Sequence, residues 1–283
     1  MILFKRSVDI YNYLVQQQEQ GNAVGFVPTM GALHPGHISL LNYAKAVNPV
    51  TVCSIFVNPT QFNDSKDFDK YPSTIDKDID ALEKAGCHVL FLPAVEEIYP
   101  NGTSQARQYQ LGYLETVLEG KFRPGHFQGV CMVMDRLLSI IPANELYLGQ
   151  KDYQQCMVIK KLVELQQFPC HINICPTQRE TDGLAMSSRN MRLSSQERVR
   201  AVKIFETLSY IKANLTPGDL TALKETAMQD LADAGFTPDY VEIANANNLE
   251  IIHNWDGKEK TVAVVAAFLG AVRLIDNMLL QDE

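Results

Sequence analysis

The first 175 residues alternate short apolar runs with segments of helical periodicity. Val50–Val57 is rich in β-branched residues and apolar on both faces, which predicts a strand in a sheet covered on both sides. Farther along, Ile75, Ile79 and Leu82 recur at helical spacing, and Gly86 follows as a stop signal. This alternation predicts an α/β fold with a Rossmann-like, doubly wound parallel sheet.

The predicted elements of this part are strand 24–28, helix 37–47, strand 50–57, helix 73–85, strand 87–92, helix 129–141, strand 145–148, helix 152–165 and strand 171–175. Doubly wound sheets bind their ligands at the carboxyl ends of the strands. We therefore expect the chemistry in the loops that follow Val27, Val57, Leu148 and Cys175.

The last hundred residues have a different pattern. Ser194 and Glu197 have the spacing of a capping box and predict a helix that runs to about Lys212. Thr216–Pro217 predicts the start of a second helix, with proline just inside it. Strands are predicted at 240–244, at 262–268 and, as a candidate third, at 272–275. We expect a Rossmann-like domain at 1–178 and a smaller α+β lid domain at 179–283.

Composition narrows the class of protein. The 283 residues contain 25 Lys and Arg against 33 Asp and Glu, and this net charge of −8 speaks against a broad nucleic-acid surface. The longest apolar run, Val262–Val272, is shorter than the ~18–20 residues of a membrane helix. Lys5 and Arg6 follow the first apolar residues, the reverse of a secretion signal. We expect a cytoplasmic protein without nucleic-acid or membrane partners, with its six cysteines reduced and mostly buried.

The segment Pro28–His37 leaves the first central strand and enters a helix. Gly31 and Gly36 let the backbone approach a ligand closely, and a helix start offers unpaired N–H groups to an anion. His34 and His37 add donors for phosphate oxygens. A metal pair would need a third ligand, and the segment offers no Cys, Asp or Glu. Phosphate binding is therefore favoured over a metal pair or a purely structural loop.

His34–His37 resembles the H-x-G-H signature of the adenylate-forming nucleotidyltransferase superfamily. In that superfamily a downstream loop rich in Lys and Ser closes over the phosphates, and Met186–Asn190 lies where this loop is expected. The Ser-Ser-Arg-Asn sequence is also compatible with an ordinary polar turn before Ser194.

Further segments narrow the resemblance to the pantoate–β-alanine ligases (pantothenate synthetases). In the family's order they are Val27–His34, Ser54–Phe62, Arg123–Phe127, Gly149–Gln155, Arg179–Asn190 and Arg273–Asn277. The resemblance implies condensation of pantoate with β-alanine to pantothenate, in which ATP is split to AMP and pyrophosphate through a pantoyl adenylate. It also implies a homodimer and Mg²⁺ with ATP, although no metal ligand is assigned.

The resemblance implies roles residue by residue. Those implied in catalysis are His34, His37 and Lys151. Those implied in ATP binding are Met30, His34, Gly36, His37, Gly149, Gln150, Lys151, Asp152, Gln178, Met186, Ser187, Ser188 and Arg189. Those implied in binding pantoate, with Gln61 also near the incoming amine, are Met30, Asn58, Gln61 and Gln155. The two glutamines are neutral donors and acceptors, which suits a carboxylate and two hydroxyls.

Some positions depart from the family pattern or leave a choice open. Ser73 stands where an arginine often follows the tyrosine–proline pair, and helix capping is a simple account of it. Gln150 replaces a glutamate of many relatives, and Gln178 stands where an aliphatic residue is common. Arg123 and His126 match a family segment, and the role of His126 is left open between structure and function.

Three other functions stay open at this point. A nucleotidyltransferase that stops at an adenylylated product would not need the pair Gln61 and Gln155. A non-catalytic nucleotide-binding protein would not need the set of His, Lys, Ser and Arg side chains. A tRNA-charging relative is disfavoured because the chain is acidic and carries no appended basic domain.

Overall fold

The computed structural model describes residues 1–62, 72, 74–103 and 107–281. The chain divides into two compact units. The N-terminal unit comprises Met1–Gly149 and Gln155–Pro176, and the C-terminal unit comprises Gln150–Gln154 and Thr177–Glu283. The expectation of two folding domains that meet at residue 178 stays a prediction.

The strands of the N-terminal unit are β1 (Ile2–Phe4), β2 (Val24–Thr29), β3 (Val50–Ile55), β4 (Val89–Phe91), β5 (Glu145–Gly149) and β6 (His171–Cys175). Its helices are α1 (Ser7–Glu19), α2 (Pro35–Val47), α3 (Ile75–Lys84), α4 (Val95–Ile98), α5 (Leu118–Phe122), α6 (His126–Ile140) and α7 (Tyr153–Gln166), with short 3-10 helices at Pro59–Gln61 and Gly112–Glu115. The first two residues of α7 belong to the C-terminal unit. The strands pair in parallel in the order β1-β4-β3-β2-β5-β6.

This order confirms the predicted doubly wound sheet and locates its switch point. From β2 the chain proceeds to β3 and β4 on one side, whereas β5 and β6 lie on the other side of β2. Ligand crevices of such sheets open at the carboxyl ends of the strands where the order reverses. The loops after β2, β3 and β5 therefore have the most favourable position in this unit for a binding site.

The sheet is covered as the sequence pattern requires. Every residue of β3 is buried, which confirms a strand with packing on both faces. Leu41 of α2 and Leu82 of α3 share a buried cluster with Cys53 and Ile55 of β3. Gly86 adopts φ +73° after α3, as expected of a glycine that ends a helix. The expected cap, Ser73, lies outside the described residues.

The helices of the C-terminal unit are α8 (Ser195–Ala201), α9 (Lys203–Asn214) and α10 (Thr221–Asp233), with 3-10 helices at Gln150–Asp152 and Ser188–Arg192. Its strands are β7 (Gly218–Asp219), β8 (Thr237–Asn245), β9 (Asn254–Trp255), β10 (Thr261–Leu269) and β11 (Val272–Leu279). An antiparallel sheet has the order β11-β10-β8, and β7 pairs with β9. The smaller α+β part and its candidate third strand, β11, are thus confirmed.

Two predictions for this unit are wrong. The helix expected from Ser194 to Lys212 is two helices, because α8 ends at Ala201 and α9 begins at Lys203. Thr216–Pro217 does not start a helix. Gly218 has φ +123°, which a helix does not allow, and the short strand β7 pairs with β9 before α10 begins.

The state of the cysteines and the length of the apolar helices were both predicted from the sequence. All six cysteines are free, and all but the partly buried Cys170 are buried. No helix among the described residues is long and apolar enough to cross a membrane.

The capping box at Ser194 gives a direct test of a local stability term. Ser194 Oγ accepts the Glu197 N–H at 3.3 Å, and Glu197 Oε2 accepts the Ser194 N–H at 2.8 Å. We expect Ser194→Ala to lower the free energy of unfolding by about 1 kcal/mol. Ser195→Ala, one residue farther on at an exposed position without the cap contacts, is the control. Equal urea midpoints for the two variants would contradict the capping contribution.

Candidate active site

The loop after β2 has a backbone that only certain residues adopt. Gly31 has φ +81° and Ala32 has φ +50°, so two consecutive residues are left-handed. A Cβ on Gly31 would come within 3.1 Å of Asp78 Oδ2 and of Ile55 Cγ2. Glycine at position 31 is therefore favoured both by the conformation and by close packing. The close approach of this backbone to a ligand stays a prediction.

Asp78 of α3 stabilises this loop and was missed by sequence reasoning. Its carboxylate is buried and accepts the backbone N–H groups of Ala32 at 2.9 Å and of Leu33 at 2.8 Å. The Thr74 hydroxyl donates to the same carboxylate at 3.1 and 3.2 Å. These bonds stabilise the unusual Ala32 backbone just before His34. The signal was present, because Asp78 interrupts the apolar face of its helix.

The two histidines form a reciprocal cap at the start of α2. His34 Nδ1 accepts the Gly36 N–H at 3.2 Å, and His37 Nδ1 accepts the His34 N–H at 3.3 Å. The two rings lie with their centroids 4.0 Å apart. The expectation of unpaired N–H groups at this helix start is therefore wrong. Pro35 has no N–H, the Gly36 N–H is bonded to an imidazole, and the His37 N–H donates to the His34 carbonyl at 2.8 Å.

The cap determines which ring nitrogens can act as donors. Because Nδ1 of each ring accepts a backbone N–H, a neutral imidazole there carries its proton on Nε2. Two Nε2–H groups beside a helix N-terminus are suited to stabilise an oxyanion. Residues that could hold a metal by themselves, in groups of three or more His, Cys, Asp or Glu, do not occur in the described ranges.

Three of the residues predicted to bind pantoate lie together. Asn58 Nδ2 donates to Gln61 Oε1 at 3.0 Å, and Gln61 Nε2 lies 3.1 Å from Met30 Sδ. Asn58 is buried, and its Oδ1 accepts the Tyr99 hydroxyl at 2.7 Å. Burial raises the pKa of Tyr99 to about 12, so this phenol remains a donor near neutral pH. The orientation of the Gln61 amide is thus determined from both sides.

His126 supports the same turn. Since the Arg123 guanidinium can only donate, His126 Nε2 accepts from it at 3.0 Å and His126 Nδ1–H donates to the Gln61 carbonyl at 2.8 Å. Arg123 also lies 3.6 Å from the Glu119 carboxylate. A Cβ on Gly129 would overlap the Thr60 carbonyl, so α6 packs directly on the 3-10 helix. These contacts favour the structural interpretation of His126.

Gln155 and Gly149 lie on the other side of the switch point. Gly149 ends β5, and its carbonyl accepts the Cys156 thiol at 3.4 Å. Gln155 is partly buried in the first turn of α7. The carboxyl ends of the adjacent strands β3, β2 and β5 thus lead, in this order, to Gln61, to the two histidines and to Gln155.

The second group of predicted residues belongs to the C-terminal unit. The 3-10 helix Gln150–Asp152 carries Lys151, whose Nζ lies 3.8 Å from Asp152 Oδ1. Its backbone is bound by Asn277 of β11, which donates through Nδ2 to the Gln150 carbonyl at 2.9 Å and to the Lys151 carbonyl at 2.8 Å. Gln150 Nε2 donates back to Asn277 Oδ1 at 3.2 Å.

The Ser-Ser-Arg-Asn segment forms a capped turn. Ser187 Oγ accepts the Arg189 N–H at 3.3 Å, and Ser188 begins the 3-10 helix. The Met186 N–H donates to the Gln178 carbonyl at 2.9 Å, so these two predicted nucleotide contacts are neighbours. The residues that line a small cavity here include Lys151, Ser187, Arg189, Arg273 and Asp276. Three of the cavity residues are therefore predicted phosphate contacts.

An ion pair between the partly buried Arg179 and the buried Asp276 lies beside this cavity. Arg179 contacts both carboxylate oxygens of Asp276, at 2.6 and 3.1 Å, and its guanidinium lies 4.8 Å from the centroid of the Phe205 ring. Burial raises the pKa of the Asp276 carboxyl, and the Arg179 charge opposes that shift. Removing Arg179 would leave the Asp276 carboxylate buried and uncompensated.

Comparison with known proteins identifies the enzyme family to which this chain belongs. Residues 3–279 match the sequence profile of the family described as Pantoate-beta-alanine ligase. The chain belongs to the pantoate–β-alanine ligases. The predicted activity, ATP-dependent ligation of pantoate to β-alanine, is thereby confirmed.

Individual relatives are similar to this ligase over 95% or more of its length. It is 44% identical over 273 residues to a pantothenate synthetase of Bacteroides fragilis, with 95% of each chain covered. It is 44% identical over 277 residues to that of Cytophaga hutchinsonii, again with 95% of each chain covered. The crystal structure of the Thermus thermophilus enzyme matches with a TM-score of 0.88 at 35% identity, covering 100% of both chains.

A second solved structure carries ligands. It is a pantoate–β-alanine ligase from Francisella tularensis in complex with beta-gamma ATP and β-alanine. It matches with a TM-score of 0.84 at 38% identity and covers 100% of this chain and 99% of its own. Together the solved structures confirm the α/β class with an additional smaller domain.

Asp78→Asn tests whether the buried carboxylate stabilises the loop of this ligase. One of the N–H groups of Ala32 and Leu33 would face an amide NH₂ instead of a carboxylate oxygen. We expect the free energy of unfolding to fall by about 1–3 kcal/mol and kcat to fall about tenfold or more. Asp80→Asn is the matched control, because Asp80 is exposed and pairs with Lys84 on the same helix. Equal kcat and equal thermal midpoints for the two variants would contradict this role.

Proposed function

We propose that the ligase activates pantoate at the switch point of its parallel sheet, with His34 and His37 at the α-phosphate. The observation that carries this proposal is the reciprocal histidine cap, which directs both ring protons to Nε2 beside a helix N-terminus. As charge develops on the α-phosphate oxygens, these donors stabilise it, and each contact is worth about 2–4 kcal/mol of barrier. His37 also serves as a proton donor.

The reaction proceeds in two steps. A pantoate carboxylate oxygen attacks the α-phosphorus of ATP, the bond to the bridging oxygen breaks, and pyrophosphate leaves. The β-alanine amine then attacks the acyl carbon of pantoyl adenylate and displaces AMP with loss of a proton, which forms the amide of pantothenate. Gln61 and Gln155 hold the carboxylate and hydroxyls of pantoate, while Met30 and Asn58 shape the pocket. The contact of Gln61 with both Met30 and Asn58 supports this grouping.

The residues of the C-terminal unit serve the nucleotide in the same reaction. Lys151 provides a point charge for the phosphates, and Ser187, Ser188 and Arg189 bind the triphosphate. The cavity that Lys151, Ser187 and Arg189 share supports their joint action. Asp152 binds the ribose side, and the remaining nucleotide contacts are those of Gly36, Gly149, Gln150, Gln178 and Met186.

Mg²⁺ would enter with ATP, and when bound it would offset charge on the phosphates. No protein ligand is assigned to it. The donor set fits an ion that arrives with its substrate, because Mg²⁺ is commonly bound by phosphates, waters and one or two carboxylates. The Francisella tularensis ligase, solved with beta-gamma ATP and β-alanine, supports the same substrates for this chain.

The partners of the enzyme follow from its substrates and its charge. ATP, pantoate and β-alanine are its ligands, and the net charge of −8 supports the absence of a nucleic-acid partner. We place the reaction in the cytoplasm, where ATP is supplied, and we expect no membrane partner. We further propose that the enzyme is a homodimer, as its family resemblance implies. Sedimentation equilibrium that gave the mass of one chain would contradict the dimer.

Exchange of labelled pyrophosphate into ATP tests the proposed function. The assay contains Mg²⁺, is run with and without pantoate, and omits β-alanine. We expect exchange only when pantoate is present, because a reversible adenylate must form before label can return to ATP.

The other outcomes separate the alternatives. Strong exchange without pantoate would indicate a different acceptor. Absent exchange with AMP release once β-alanine is added would indicate a concerted or ordered route. Absence of both exchange and AMP release would favour a non-catalytic nucleotide-binding protein.

A further inference from the structure

The motif Arg273–Asn277 has no role in the proposed chemistry, yet its last residue is hydrogen-bonded through both its side chain and its backbone. Asn277 is 2% exposed. Its Nδ2 donates to the carbonyls of Gln150 and Lys151, and its Oδ1 accepts from Gln150 Nε2. One buried amide thus makes all its described side-chain bonds to the turn that carries Lys151.

The backbone of Asn277 is itself anchored. Its N–H donates to Asp276 Oδ1 at 2.8 Å, and its carbonyl accepts Arg179 Nη2 at 3.1 Å. Arg179 and Asp276 are in turn joined by two charge-assisted bonds, and Arg179 also donates to the Gly183 carbonyl at 3.0 Å. The backbone of Asn277 is therefore held at its N–H by Asp276 and at its carbonyl by Arg179, and this fixes the position of its side-chain amide.

A rigid support matters here because the turn is short and its side chain is long. Gln150–Asp152 is a single 3-10 turn, which has few backbone bonds of its own. Lys151 has a flexible four-carbon stem, so the position of its ammonium depends on a fixed backbone. A misplacement of about 1 Å in a group that acts on the transition state can cost on the order of 10²-fold in rate.

We propose that Asn277 is a positioning residue that fixes the Lys151 backbone, with Arg179 and Asp276 as its support. The proposal rests on the proposed role of Lys151 toward the phosphates. It predicts that Asn277 affects the rate through Lys151 and not through the pantoate contacts. A purely structural role would instead lower the amount of folded enzyme and leave the kinetic constants of the folded fraction unchanged.

A double-mutant cycle on pantoate-dependent pyrophosphate exchange tests this inference. We expect Asn277→Ala to lower the exchange rate at least tenfold while the KM for pantoate stays within twofold of wild type. In a Lys151→Ala background the same substitution should change the rate less than twofold, because its target is gone. Asn247→Ala, at an exposed asparagine of the same unit, is the matched control and should leave the rate unchanged.

The outcomes separate the inference from the proposed function on which it rests. Equal losses from Asn277→Ala in both backgrounds, with Lys151→Ala itself slow, would overturn the positioning role alone. Full exchange by Lys151→Ala would overturn the role of Lys151, and the inference with it. If the alanine variant does not fold, the same double-mutant cycle is measured with Asn277→Ser, which keeps one hydrogen-bond donor. A smaller loss for serine, again abolished without Lys151, would support the inference, and a loss unchanged without Lys151 would overturn it.

Discussion

His37→Ala is expected to lower kcat by about 10²–10³-fold, the cost of losing one donor to a developing oxyanion. The imidazole Nδ1 is engaged by the His34 N–H, so Nε2–H is the group the reaction loses. The KM for pantoate should change little, because that substrate is proposed to bind through Gln61 and Gln155. Steady-state kinetics with each substrate varied in turn would measure both effects.

Two further variants show whether the donor or the cap is responsible. His37→Gln places an amide N–H near the position of Nε2 and should recover part of the lost rate, whereas the alanine variant should not. His253→Ala removes an exposed histidine of the other unit and should leave kcat unchanged. Normal turnover by His37→Ala would exclude the proposed role. A rate loss matched by an equal loss of folded protein would show that His37 serves only to cap the helix.

The strongly periodic parts of the fold were predictable because their signals are local. Val50–Ile55 is rich in β-branched residues and apolar on both faces, which indicates its burial. The capping box at Ser194 is present as expected. The helix α1 was missed because only Ile10 and Leu14 are buried along its 13 residues, and its cap residue Arg6 makes no side-chain cap bond. A stripe of two residues is too narrow to indicate an amphipathic helix.

The predictions that failed depended on contacts distant in sequence. Pro217 has the local features of a helix start, but Gly218 pairs with Trp255 across an antiparallel bridge. The break between α8 and α9 occurs at Val202, where no proline or glycine marks it. Tertiary packing can override local propensity without leaving a signal in a single sequence.

The candidate site shows the same division. The loop from Met30 to His37 was predictable as a connection between a strand and a helix that begins near the two histidines. Its binding of phosphate stays a prediction. The contact of Asp78 with this loop was not predictable, because Asp78 lies 46 positions from Ala32 along the chain and reaches it only in the folded protein. Asn277 was noticed only as part of a motif, because its partners Gln150 and Lys151 are more than a hundred residues away.

Lys151→Ala is expected to slow pantoate-dependent pyrophosphate exchange by about 10²–10³-fold and to raise the KM for ATP. Only 16% of the Lys151 side chain is exposed, so a phosphate bound beside it would meet a charge that is less screened than that of a surface lysine. Lys151→Met keeps the length of the side chain without its charge and should be nearly as slow. Lys151→Arg should recover only part of the rate, because a planar guanidinium does not reproduce a compact point charge.

The control is Lys258→Ala, which removes an exposed lysine of the same unit and should leave exchange unaltered. If Lys151→Met exchanged as fast as wild type, the charge would be irrelevant and the side chain would serve only to fill the cavity beside Ser187 and Arg189. If all three substitutions raised the KM for pantoate instead of ATP, Lys151 would belong with the acid substrate. A slow first step with unchanged pantoate binding, seen for Lys151→Met as well as for Lys151→Ala, is the result expected if the charge of Lys151 acts on the phosphates.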